Sequence, residues 1–143
     1  MAAVRFARCH CGSLSLKCSG EPTKVSMCHC EDCQRRTGSA FSIAAFFERG
    51  SVERVSGGAT TFTRGSASGH PVAFHFCPNC GTSILWESDR APETCGIAAG
   101  CFADLDFPAP GSSVYEEAMH SWLALPSVAE HYDQALSPPP PAS

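Results

Sequence analysis

The sequence predicts a mostly β, single-domain protein built of antiparallel strands, and three observations point there. Short β-rich runs recur along the chain, most of them bounded by Gly, Pro, Ser or Asp. No stretch of a dozen residues carries an apolar stripe at the 3.6-residue helical period. Ten cysteines stand among 143 residues, and seven of them fall into three tight clusters. Such density calls for disulfides or bound metal to staple the fold.

In chain order the expected strands are "SLSLKC" (13–18), "TKVSMC" (23–28), "AFSIAAFF" (40–47), "TTFTR" (60–64), "VAFHFC" (72–77), "TSILWE" (82–87) and "CGIAAG" (95–100). One helical turn is expected from Asp32 as N-cap through "CQRRT" to Gly38, a residue suited to the left-handed C-terminal stop. The proline run "SPPPPAS" can neither pair in a sheet nor continue a helix. The chain therefore divides into one domain over 1–136 and a flexible tail over 137–143.

Hydrophobic residues make up 43% and charged residues 17%, a globular composition, and the net charge of −4 gives a polyanion no electrostatic welcome. A nucleic-acid partner is not expected. The opening "MAAVRFARCHCG" lacks a signal-peptide apolar run, and no membrane-spanning run occurs later. A cytoplasmic protein without a membrane role is the expectation, which turns the cysteines away from disulfides and toward metal. C-x-C pairs are also too close in sequence for an unstrained bridge.

The clusters are Cys9 and Cys11 in "RCHCG", Cys28, Cys30 and Cys33 in "CHCEDC", and Cys77 and Cys80 in "FCPNCGT". The last is a zinc knuckle, in which two sulfurs converge on one ion, turn N–H groups point at sulfur, and Gly81 lets the backbone reverse. Cys9 and Cys11 are the simplest source of its other two ligands. That partition gives a closed four-thiolate structural zinc site and leaves Cys28, Cys30 and Cys33 as a local three-thiolate chelate. A competing partition joins the knuckle to Cys30 and Cys33.

Three thiolates leave zinc one position for water or substrate, the feature that separates catalytic from structural sites. A histidine such as His10 or His75, or another cysteine, would close it; His29, flanked by ligands, should point away. A thiolate-rich zinc is a weak activator of water and better suited to binding and deprotonating an incoming thiol. Arg35 and Arg36 follow directly and could grip a carboxylate. Cys18, Cys95 and Cys101 read as small core side chains. Trp86, Trp122 and the phenylalanines read as core or pocket wall.

The combined pattern C-x-C-G, C-H-C-x-x-C with R-x-T-G-S, and F-C-x-x-C-G-T resembles the glutathione-dependent formaldehyde-activating enzyme family, which includes the centromere protein V group. The similarity runs from about residue 5 to about residue 123 and includes "AAGCFAD", where Cys101 replaces the usual turn residue, and Trp122 in "HSWLAL". The resemblance implies a tent-like all-β fold with two zinc ions per chain. One is structural on Cys9, Cys11, Cys77 and Cys80, and one catalytic on Cys28, Cys30 and Cys33. It further implies a carbon–sulfur lyase acting on glutathione or a related thiol and formaldehyde or another aldehyde adduct. In the mechanism expected from the residues, Arg35 and Arg36, with the backbone near Thr37, Gly38 and Ser39, position the substrate's carboxylates. A zinc-stabilised protein-binding module without catalysis is the alternative.

Overall fold

The computed structural model describes residues 3–66 and 68–135. The proline tail expected over 137–143 lies outside the described residues. The protein is mostly β, as its sequence predicts. Strands β1 (Val4–Arg8), β2 (Ser15–Ser19), β3 (Lys24–Cys28) and β4 (Ser42–Glu48) enclose the one α-helix among the described residues, α1 (Glu31–Thr37), in the β3–β4 connection. Then follow β5 (Val52–Ser56), β6 (Thr60–Arg64), β7 (Val72–Phe76), β8 (Ser83–Ser88), β9 (Thr94–Ala98), β10 (Ser112–Val114) and β11 (Glu130–His131).

Two sheets form. The smaller is antiparallel in the order β1-β2-β5, and the larger runs β11-β10-β3-β4-β9-β8-β7-β6. The antiparallel expectation holds except at one edge, where β10 pairs in parallel with both β3 and β11. Local hairpin signals cannot reveal that pairing, because parallel neighbours are joined by long crossovers rather than tight turns.

Strand alternation gives the large sheet two differently used faces. In β4, Ile43, Ala45 and Phe47 pack into the core together with Ala7, Leu14, Leu16 and Cys18 of the small-sheet region and Cys95 and Ile97 of β9. Phe47 and Ile97 are fully buried. Such large side chains contribute roughly 1.5–3 kcal/mol each on burial. The intervening residues Ser42, Ala44 and Phe46 line a cavity on the opposite face, as do Lys24, Ser26 and Cys28 of β3.

A cross-strand row runs over that second face. Lys24 pairs with Phe46, Phe46 with Gly96, Gly96 with Trp86, Trp86 with Phe74, and Phe74 with Phe62. Gly96 leaves a gap in this row, and Trp86 fills it: a Cβ on Gly96 would overlap the indole Nε1 of Trp86. The indole thus lies across bare backbone and forms part of the cavity floor.

At the parallel edge, His131 Nδ1 and Glu116 Oε2 lie 2.7 Å apart. The Glu116 hydrogen bond raises the His131 pKa, helped by the Val128 carbonyl. A raised folded-state pKa makes the pairing's stabilisation complete below the ordinary value of 6.5 and lost as pH climbs through the higher one. An NMR titration should therefore place the His131 midpoint above 6.5, and a midpoint at or below it would contradict the pairing.

Candidate metal centres and active-site cavity

The loop after β1 carries Cys9 and Cys11, and the β7–β8 connection carries Cys77 and Cys80. The four sulfurs all lie within 4.8 Å of one another. Cys9 Sγ is 3.6 Å from Cys11 Sγ, and Cys11 Sγ is 3.7 Å from Cys77 Sγ. Four thiolates at the usual zinc–sulfur length stand about 3.8 Å apart at the corners of a tetrahedron, so these separations fit the ion.

The surroundings favour ionised sulfur at Cys77 and Cys80, while the Cys11 thiol is pushed up. The Leu14 N–H donates to Cys9 Sγ at 3.3 Å. The Ser13 hydroxyl, with the backbone N–H groups of Cys80 and Asn79, pulls the Cys77 thiol pKa down. The Thr82 hydroxyl and backbone bring Cys80 to about 5. The two loops are tied by the His10 N–H donating to Thr82 Oγ1 at 3.0 Å and closed by the Gly81 N–H donating to the Cys77 carbonyl at 2.8 Å. Gly81 takes the positive φ of 79° that this reversal requires.

The second group is Cys28 at the end of β3, Cys30 at the helix N-cap and Cys33 in the first turn of α1. Their sulfurs also lie within 4.8 Å of one another, and no further Cys, His, Asp or Glu joins them among the described residues. The sequence expectation of Asp32 as N-cap is corrected: Cys30 caps the helix, its sulfur accepting the Cys33 N–H at 3.3 Å. Asp32 instead pairs with Arg64 at 3.2 Å. His29 turns away from the sulfurs, fully buried, with Nε2 2.8 Å from Ser113 Oγ.

Crowding separates the three thiols electrostatically. Cys28 and Cys30 share hydrogen bonds with Cys33, and with Ser42 and the Arg36 charge they bring its pKa down to about 2. The same contacts, with burial, push Cys28 far up. A cation among the three sulfurs would favour ionisation of all of them. The donor set fits zinc.

These sulfurs open on a cavity of about 430 Å³, a volume typical of small-molecule sites. Phe46, Val72, Phe74, Trp86, Val114 and Tyr115 supply apolar wall, and Lys24, Arg36, Arg64 and Arg90 supply positive charge against Asp32. Arg36 lies 4.4 Å over the Trp86 ring and 5.2 Å over Phe74, while Arg64 lies 4.7 Å over Phe74. The Arg36 Nε is buried without a hydrogen-bond partner among the described residues.

The chain matches the family described as glutathione-dependent formaldehyde-activating enzyme over residues 4–122. It belongs to that family. Among solved structures, a crystal structure of a Rhodobacter sphaeroides protein from a structural genomics programme shares the fold. It superposes with a TM-score of 0.53 at 23% identity, over 73% of this chain and 91% of that one. Among curated proteins none matches. The matched span of this glutathione-dependent formaldehyde-activating family member holds both cysteine groups and the cavity wall as far as Tyr115.

The residues that sequence reasoning placed around the substrate separate in the structure. Arg36 lines the cavity; Arg35 does not. One helical position further round, Arg35 is 77% exposed and pairs with Glu31 at 3.5 Å. Thr37, Gly38 and Ser39 form the helix C-terminus rather than cavity wall: Thr37 Oγ1 donates to the Cys33 carbonyl at 2.8 Å and accepts the Ser39 N–H at 3.0 Å, and Gly38 is left-handed at φ 68°. Thr37 thereby ties the end of the helix to Cys33. Trp122, expected in core or wall, is 71% exposed and stacks on His120. Lys24, Arg64, Arg90, Ser42 and Tyr115 were missed, because they are scattered along the sequence and only the fold gathers them on the cavity.

No helix among the described residues is long and apolar enough to cross a membrane.

Proposed function

We propose that the protein is a zinc-dependent carbon–sulfur lyase that joins glutathione, or a related anionic thiol, to an aldehyde and splits the resulting adduct. The observation that carries this reading is the contrast between two cysteine groups in one chain. Four sulfurs close around one point away from the cavity, whereas three converge on the cavity wall with no fourth protein donor among the described residues. Zinc held by Cys28, Cys30 and Cys33 would supply an acidic position at which an incoming thiol gives up its proton, and Cys9, Cys11, Cys77 and Cys80 would hold a second, structural ion.

The chain's own residues supply recognition. Arg36, held between the aromatic rings and Cys33, offsets negative charge at the sulfurs and keeps a buried Nε–H for a ligand oxygen. Lys24, Arg64 and Arg90 extend positive charge along the same cavity, matching a thiol with carboxylates at both ends. The aromatic wall limits water beside the reacting carbon, where hydration of the aldehyde would compete.

Replacing Arg36 by Met keeps much of the apolar stem and removes the charge. A charge-assisted hydrogen bond is worth about 1.5–3 kcal/mol, so the KM for glutathione should rise roughly tenfold or more. Glutathione with esterified carboxylates should lose the same factor on the wild type and little on the variant. Equal KM values for wild type and variant would refute this recognition.

A further inference from the structure

Val114 and Tyr115 are neighbours in the chain, yet both line the cavity. Neighbours in an extended strand point to opposite faces. The break comes at Tyr115, whose backbone is left-handed at φ 55°, ψ 42°. A residue with a bulky ring is unfavourable there, and glycine would take the position freely. The fold keeps a strained conformation that brings this ring into the cavity.

The position is also tied to the sulfurs. Val114 is the register partner of Cys28, and its carbonyl accepts the His29 N–H at 3.1 Å. The Tyr115 N–H donates to the Gln134 carbonyl at 3.2 Å, and the Ala118 N–H donates to the Tyr115 carbonyl at 3.1 Å. The kink is therefore fixed from both sides, one residue beyond the strand that seats the cysteine loop. Of the other donors in the cavity, Ser42 serves Cys33 and Arg64 serves Asp32, while the Arg36 Nε–H and Lys24 belong to the carboxylate recognition proposed above. The Tyr115 hydroxyl has no hydrogen-bond partner among the described residues.

Resting on the thiol–aldehyde reading above, we infer that Tyr115 is a catalytic residue, the proton donor to the aldehyde oxygen. As the sulfur adds to the carbonyl carbon, the C–S bond forms and the C=O π pair moves onto oxygen. That oxygen takes the Tyr115 phenolic proton. The proton released when the thiol entered the site restores the phenol through solvent. In the splitting direction the steps reverse: the phenol gives its proton to solvent, the phenolate accepts the hydroxyl proton as the C–S bond breaks, and the departing thiolate takes a proton back from solvent.

The test uses the zinc-loaded full chain and two variants. Tyr115→Phe should lower kcat about 10²-fold, with zinc content and the KM for glutathione unchanged. Tyr115→Gly should be equally slow, melt no lower than the Phe variant, and regain turnover when phenol is added. A second readout needs no turnover. With Co²⁺ replacing zinc, absorption titrations should show 2-mercaptoethanol binding about fivefold tighter than ethanethiol, and Tyr115→Phe should erase that preference. Full kcat in Tyr115→Phe, or a mercaptan preference that survives it, overturns the assignment. Absence of turnover in the wild type with any thiol and aldehyde would overturn the reaction instead, and the mercaptan preference would then decide the role of Tyr115 alone.

Discussion

Cys30→Ser is expected to abolish turnover in a protein that stays folded, whereas Cys77→Ser unfolds it. The asymmetry follows from what each sulfur holds. Cys30 caps a short helix through its sulfur, and serine is among the best N-cap residues, so the helix start survives while a ligand of the open site is lost. Loss of turnover should be complete, with zinc content falling by one per chain. Cys77 is fully buried and joins the loop after β1 to the β7–β8 connection through the four-sulfur group. Structural zinc sites are worth about 10–16 kcal/mol, as much as the roughly 5–15 kcal/mol of net stability that a domain possesses. Forfeiting even part of that is enough to unfold the chain. Circular dichroism and metal analysis of both variants check the prediction, and equal unfolding would dissolve the division of labour between the two groups.

Gly96→Ala is expected to damage the site from below without touching a sulfur. The added methyl overlaps the Trp86 indole, which must lift off the β9 backbone, and Arg36 rests 4.4 Å over that same ring. Overpacking of this kind costs about 1–3 kcal/mol. Displacing a positioning group by about 1 Å can cost on the order of 10²-fold in rate, so turnover should fall much further than stability. Fluorescence reports the shift, since the chain has two tryptophans and Trp122 is already exposed. Gly50→Ala, which meets nothing within 4 Å, is the control and should leave emission and turnover alone. Unchanged emission from the Gly96 variant would contradict the packing.

Much of this was legible in the sequence, for identifiable reasons. Runs such as "TTFTR" and "VAFHFC" became β6 and β7 with little change of boundary, because alternation and turn residues are local signals. Strand β1 escaped: Val4 and Phe6 lie exposed on an edge, so its pattern resembles a loop. Strands β10 and β11 are too short to show a period and pair in parallel across a long connection. The cysteine groups were readable because metal ligands cluster in sequence, and the structure gathers Cys9 and Cys11 with Cys77 and Cys80, leaving Cys28, Cys30 and Cys33 together.

The cavity was less legible. Adjacent arginines look equivalent on paper, but helical geometry turns Arg36 onto Trp86 and Arg35 toward Glu31. Lys24, Arg64 and Trp86 come from three separate strands that register brings to one face, and Tyr115 joins them through its left-handed backbone just beyond β10.

The central claim is that three sulfurs grip an ion and leave room for a thiol, while four close around another. A chromophoric chelator titrated into the zinc-loaded protein, with and without glutathione, tests it directly. The account predicts two zinc ions per chain, one released quickly at a rate that glutathione changes and missing from Cys30→Ser, the other inert. A single zinc per chain, or two whose release ignores glutathione, would contradict it.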